Sequence, residues 1–419
     1  MRLNCDLSRI KNRKAAADEA TEKTVREILA DVRENGDAAL RKYAEQFDGF
    51  TGEDPLVGED EIVAAVLNIG ADFMRILRRA CARIKEFHTN QIAKSWGIYK
   101  DNGVIMGQIV RPLRRVALYV PGGRAAYPST VLMNAIPATL AGVADLAIFT
   151  PAGRDGRVND SILAAASCCG IRAIYKIGGA QAIAAAAYGT ETIAKADKIV
   201  GPGNAYVATS KRLVYGEVDI DMIAGPSEVL IIADETANPK YVAADLLSQA
   251  EHDEMACSVL VTTCEKLIDE TESELERQLA YLHRSEIIRR SLENFGAAIL
   301  VRNMDEAFEI ANDAAPEHLE ILTENPFEHL TKAKNAGSIF LGENTPEPLG
   351  DYMSGLNHVL PTGGTARFYS PLGVYDFVKF SSFSYYPREA LAELKDDIMK
   401  FAASEGLDAH ANSINVRFE

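Results

Sequence analysis

Four consecutive strand–turn–helix units between Arg115 and Gly216 constrain this chain more than any other feature. RVALYV ends in Pro121-Gly122-Gly123 and leads into STVLMNAIPATLAG. ADLAIFT leads into SILAAASCCG, IRAIYKIGG into AQAIAAAAYG, and ADKIVGPGN into AYVATSKRLVYG. Strands that are apolar throughout and alternate with helices predict a parallel sheet covered on both faces. Ligands of such sheets bind beyond the carboxyl ends of the strands, where Pro121-Gly122-Gly123, Gly178-Gly179 and Gly201-Pro202-Gly203 fall.

A second block repeats the alternation: EVLIIADE, a helix ending near Gln249 and His252, SVLVTT, a helix over 265–282, AAILV, MDEAFEIANDAA, EHLEILT and GSIFLGE. Residues 18–100 read as mostly helical with charged faces, a packing and dimerisation layer. After Gly342 the pattern loosens into turns, then closes on REALAELKDDIMKFAASEG and a short tail. The predicted class is α/β: two Rossmann-like domains with parallel sheets, a helical N-terminal segment and a small C-terminal tail domain. Gly225-Pro226 marks a boundary. Residues 1–118 with 228–370 form the first domain, 119–227 an inserted nucleotide-binding domain, and 371–419 a helical tail at a dimer interface.

Composition narrows the function. The 419 residues hold 44 Lys plus Arg against 60 Asp plus Glu, a formal charge of −16. That balance argues against a nucleic-acid surface and against docking on anionic lipid. No apolar run approaches the ~20 residues of a membrane span, and MRLNCDLSRIKNRK lacks the apolar core of a signal peptide. The six cysteines show no CxxC spacing, and Cys168-Cys169 read as small buried hydrophobes. A reduced, cytoplasmic protein is expected.

Three constellations carry chemistry. No glycine loop matches GxGxxG; Gly201-Pro202-Gly203-Asn204-Ala205-Tyr206 is nearest and, alone, is better explained by ordinary tight turns. Four such units in a row favour a nucleotide-like ligand, with Tyr119, Gln181 and Asn204 placed to hydrogen-bond ribose or phosphate, or simply to cap and turn. Gln249 and His252 stand at i, i+3 on one helix face; with Asp351 and His410 they make a donor set suited to zinc. Glu317-His318 follows Pro316, and a histidine beside a carboxylate suits removal of a hydroxyl proton as a hydride departs. Its bland alternative is a solvated charge pair at a strand entry. His358 can line the same cleft, whereas His88, His283 and His329 sit in charged, helical contexts and are expected at the surface.

The stretches RVALYVPGGRAAYPSTVLMNAIPA, KIGGAQAIAA, VGPGNAYV, AGPSEVLIIAD, DLLSQAEHD, APEHLEI, GSIFLG, GDYMSGLNHVLPT and GLDAHA, in this order, strongly resemble the histidinol dehydrogenase family from about residue 20 to the end. The resemblance implies a zinc-dependent, NAD-linked oxidation of L-histidinol to L-histidine through L-histidinal, the last step of histidine biosynthesis. It implies zinc on Gln249, His252, Asp351 and His410, the last from the other subunit of a homodimer with shared sites. Glu317 and His318 match the acid–base pair, and Tyr119, Gln181 and Asn204 match NAD contacts. Ser227, His358 and Glu405, the last again from the other subunit, match substrate contacts, as do His318 and the four zinc ligands. One departure is Phe380 in FVKFSSF, where the family commonly has a basic residue. A relative that oxidises a sulfonated diol is the nearest rival, but TARFYSPLGVYDF resembles the histidinol branch. A zinc hydrolase would have no use for the four glycine-ended βα units.

Overall fold

The structure is a computed structural model and describes Arg2–Leu3 and residues 19–419, apart from Glu53 and residues 123–125. Two compact units emerge: one holds residues 1–91 with 113–377, the other residues 92–112 with 378–419.

In the first unit the four βα repeats build a five-stranded parallel sheet. Its spatial order is Ala173–Tyr175, Asp145–Phe149, Arg115–Tyr119, Lys198–Val200, Asp219–Ile220. Along the central strand, side chains alternate between faces, as a period of two requires. Val116 and Leu118 pack with Val131, Leu132 and Ile162 of the helices Pro128–Ala141 and Asp160–Cys168. Ala117 and Tyr119 pack with Ile183 and Val207 of the helices Gly179–Tyr188 and Ala205–Val214. Val25, Ile28 and Val32 of the helix Glu19–Tyr43 close that second face, so the N-terminal segment is a packing layer. The chain steps from the central strand to one side, then returns to the other. The switch lies between Arg115–Tyr119 and Lys198–Val200, where the two connections part and leave a crevice.

Gly201 follows Lys198–Val200 at this switch. Its φ of 114° is open only to glycine, and a Cβ there would lie 2.1 Å from the Tyr119 carbonyl oxygen. Lys211 and Asp221, both buried, form an ion pair around this turn. The Lys211 Nζ donates to the Gly201 carbonyl at 2.9 Å, and Asp221 Oδ2 accepts the Gly201 N–H at 2.7 Å.

The second sheet of this unit has six parallel strands in the order Arg2–Leu3, Gly296–Leu300, Cys257–Thr262, Glu228–Ala233, His318–Leu322, Ser338–Leu341. Val229 and Ile231 face Leu246, Leu247 and Leu275, while Leu230 and Ile232 face Phe308 and Ala311. Both α/β blocks thus carry parallel sheets with helices on the two faces.

The second unit is antiparallel. Val378–Tyr385 pairs with Ile105–Pro112, which pairs with Trp96–Tyr99, followed by the helices Arg388–Ser404 and Asp408–Asn415. It therefore draws on residues 92–112 as well as on the C-terminal stretch. Trp96, Tyr99, Phe380, Tyr385 and Phe401 are exposed on it. Phe380 stands opposite Val110, so the apolar residue at this position continues an apolar sheet surface.

Candidate active site

The amino ends of the strands Glu228–Ala233 and His318–Leu322 are the scaffold. Their parallel register sets His318 beside Val229, which brings Glu317 and His318 against Glu228. Glu317 Oε2 accepts the Glu228 N–H at 2.9 Å, and the Glu317 N–H donates to Glu228 Oε2 at 3.3 Å. His318 Nδ1 lies 2.9 Å from the Glu228 carbonyl oxygen. A carbonyl only accepts, so Nδ1 carries the hydrogen and Nε2 keeps its lone pair. Just upstream, Ala315 adopts a left-handed φ of 48°, the only positive φ at a non-glycine among the described residues. Strain of this kind persists where the surroundings over-determine a turn. Here it turns the helix Met304–Ala314 into the Pro316-Glu317 entry.

Glu317 and His318 are both buried. Burial lowers His318 to about 4, which outweighs the raising effect of Asp351. Burial also lifts the Glu317 carboxyl well above its ordinary range, against the lowering effect of the Glu228 N–H; the charges of Glu228, Asp351 and Glu347 add to the rise. His318 is therefore a neutral base at physiological pH, and the rise at Glu317 makes its carboxylate a stronger base than an ordinary one.

Next to this pair lies the donor cluster. His252 follows the helix Pro239–Ala250, which Asn238 caps through the Lys240 N–H. Asp351 comes from the short helix Glu347–Tyr352. Ligand atoms of His252, Asp351 and Glu347 all lie within 4.8 Å of one another. Gln249 is fully buried, and neither amide atom has a hydrogen-bond partner. A buried amide left unpaired is costly unless something outside the protein satisfies it. An imidazole, carboxylates and such an amide fit zinc. His410 and Glu405 belong to the second unit, His410 on the helix Asp408–Asn415 and Glu405 at the end of Arg388–Ser404, both exposed.

Sequence reasoning placed His88 at the surface, whereas its ring is buried with Nδ1 2.7 Å from Gln91 Oε1. It also missed Glu347. Its Oε1 lies 3.8 Å from His318 Nε2, and burial raises its carboxyl to about 9 with help from Asp351. A carboxylate four residues before Asp351, in a short helix opened by Pro346, was the available signal. Behind it, Glu320 Oε1 accepts the Glu347 N–H at 2.8 Å and ties this helix to the catalytic strand.

These side chains line a cavity of about 860 Å³ that contains Ser227, His252, Glu317, His318, Asp351 and His358. His358 is held by its neighbour: Asn357 donates to the Met133 carbonyl at 2.8 Å and accepts the Val359 N–H at 2.9 Å. Pro121, Gly122 and Gly203, at the carboxyl edge of the five-stranded sheet, form the opposite wall. Gly122 also lines a second cavity of about 1160 Å³ with Tyr119, Gln181 and Asn204. Tyr119 accepts the Gly179 N–H at 3.1 Å, and burial pushes its phenol up to about 12. Asn204 caps the helix Ala205–Val214 through the Val207 N–H, which leaves its amide nitrogen free for a ligand. Gln181 is buried with both amide atoms unpartnered.

A sequence profile of histidinol dehydrogenase matches residues 11–418. The chain belongs to the histidinol dehydrogenase family. It is 60% identical to the histidinol dehydrogenase of Lactococcus lactis over 98% of this chain and 96% of that one. The family member of Clostridium acetobutylicum is 56% identical, over 98% and 95%. A crystal structure of histidinol dehydrogenase from Elizabethkingia anophelis superposes with a TM-score of 0.94 at 40% identity, covering 99% of this chain and 97% of that chain. Membership of this family makes the chain an oxidoreductase with a small-molecule substrate. No helix among the described residues is long and apolar enough to cross a membrane.

Proposed function

We propose that this chain oxidises L-histidinol to L-histidine through L-histidinal, with zinc and two molecules of NAD per turnover, as a cytoplasmic homodimer. The observation that carries this reading is a neutral, buried imidazole, His318, beside a zinc-fitting donor cluster in a cavity that shares Gly122 with a nucleotide-sized crevice. Gln249, His252 and Asp351 would hold the zinc, with His410 of a second copy as the fourth ligand. When bound, zinc would anchor the substrate's nitrogens and NAD would accept the hydrides.

The residues divide the proton work. His318 Nε2 takes the proton of the alcohol as the first hydride leaves, which yields the aldehyde. Glu317 takes a proton from water as that water adds to the aldehyde. The resulting hydrate loses a second hydride and a proton to give the acid. Two acid–base groups match two oxidation stages, where a simple alcohol oxidation needs one. Ser227 and His358 line the cavity as substrate contacts, and Glu405 of the second copy would add another. Tyr119, Gln181 and Asn204 would bind the dinucleotide. The exposure of His410, Glu405, Phe401 and Trp96 favours a second copy as their partner.

The direct test supplies zinc-loaded protein with L-histidinol and NAD and counts products. Two NADH per histidine are expected. His318→Asn should lower kcat by about 10²- to 10⁴-fold, the usual contribution of a general base, with zinc content near normal. One NADH per product, with aldehyde accumulating, would overturn the reading.

A further inference from the structure

One carboxylate of the nucleotide cavity has no part in the account above. Asp48 ends the short turn Ala44–Asp48 that follows the helix Glu19–Tyr43, and it lines the larger cavity beside Tyr119, Gly179 and Gln181. Its carboxylate accepts the Gly178 N–H, at the entry to the helix Gly179–Tyr188. Its Oδ2 is shielded from solvent and has no hydrogen-bond partner. Gln181, 1% exposed in the same cavity, likewise has both amide atoms unpaired. A buried acceptor and a buried amide, both unsatisfied in one cavity, call for a ligand rich in hydroxyl groups.

Charge selects the part of that ligand. The amino end of a helix ordinarily attracts a diphosphate. Here a carboxylate already occupies that end, and a phosphate beside it would meet a like charge away from water. Sugar hydroxyls, which donate, suit the place. Position selects the sugar. The reacting end of a dinucleotide must reach Gly122, the residue shared with the cavity of His318, after the central strand Arg115–Tyr119. Gly178 instead follows Ala173–Tyr175, the edge strand two places away.

On the NAD-linked reading above, we infer that Asp48 accepts hydrogen bonds from the adenosine ribose of NAD and excludes NADP, whose 2′-phosphate would press against it. Asp48 is thus a specificity-determining residue that nothing in the acid–base or zinc machinery requires.

Calorimetric titration of the zinc-loaded protein with NAD and with NADP tests this, using Asp48→Asn, which keeps the side chain's shape, and Asp48→Ser. Wild-type protein should bind NAD at least about 100-fold more tightly than NADP. Each variant should lose about tenfold in NAD affinity and gain about tenfold in NADP affinity; each tenfold corresponds to about 1.4 kcal/mol. Melting curves identify any variant that fails to fold, and the other then decides. Unchanged NAD affinity in the folded variants would overturn the inference. So would a loss for NAD with no gain for NADP, which would put the carboxylate on the other ribose. Wild-type protein that binds neither dinucleotide would instead overturn the NAD-linked function itself.

Discussion

His318 is oriented by a main-chain carbonyl, with its Glu317 neighbour 3.7 Å from the same nitrogen. Glu347, 3.8 Å from its Nε2, is raised to about 9 by burial, while burial takes His318 down to about 4. Between its ordinary value and about 9, folded Glu347 keeps a proton that the unfolded chain has released. Stability therefore falls as pH rises through that window, by up to about 1.4 kcal/mol per pH unit. The His318 effect has the opposite sign and ends at the ordinary histidine value of about 6.5, so above that pH the Glu347 effect prevails. Metal-stripped protein should melt several degrees lower at about pH 9 than at about pH 6.5, and zinc should remove most of that decline. Calorimetry with and without a chelator checks it; a melting temperature flat with pH in stripped protein would show that Glu347 is not held neutral. Glu317 and His318 were legible because two proton-transfer residues share one short loop. Glu347 was not, since an acid at a helix start is an ordinary preference.

At the scale of elements, the turn after the strand Lys198–Val200 rests on the Lys211–Asp221 ion pair. Removing one partner of a buried pair leaves an uncompensated charge. Lys211→Met should cost about 3–5 kcal/mol in denaturant unfolding, and Lys211→Met with Asp221→Asn markedly less. Equal losses for the single and double variants would mean that packing, and not charge, dominates there. The βα elements were legible because buried parallel strands must be apolar throughout. The three-stranded antiparallel sheet was not: Val378–Tyr385 finds its partner at Ile105–Pro112, and no local pattern encodes a pairing across so much chain. Nor does any signal in the sequence announce the left-handed backbone of Ala315, an alanine like its neighbours at 314 and 311.

For the whole molecule, the two parallel sheets follow from the sequence pattern, but the completeness of the catalytic site does not. His252 and Asp351 lie together in the first unit, and His410 belongs to the second. Candidate ligands could be named from residue chemistry; whether a second copy supplies His410 depends on assembly, which periodicity does not report. If sites are shared between copies, mixing inactive His252→Asn and His410→Asn subunits should restore about half of wild-type activity per heterodimer, about a quarter in a random equal mixture, because one of two sites is whole. Verified heterodimers that stay inactive would argue that each copy completes its own site.

The five-stranded sheet supplies one wall of the reaction cavity through its carboxyl edge, and the six-stranded sheet supplies the opposite wall through its amino edge. Each wall therefore has its own grip. On the proposed two-stage oxidation, a spent oxidant could leave one hand and a fresh one take its place, while the half-converted intermediate would never have to leave the other.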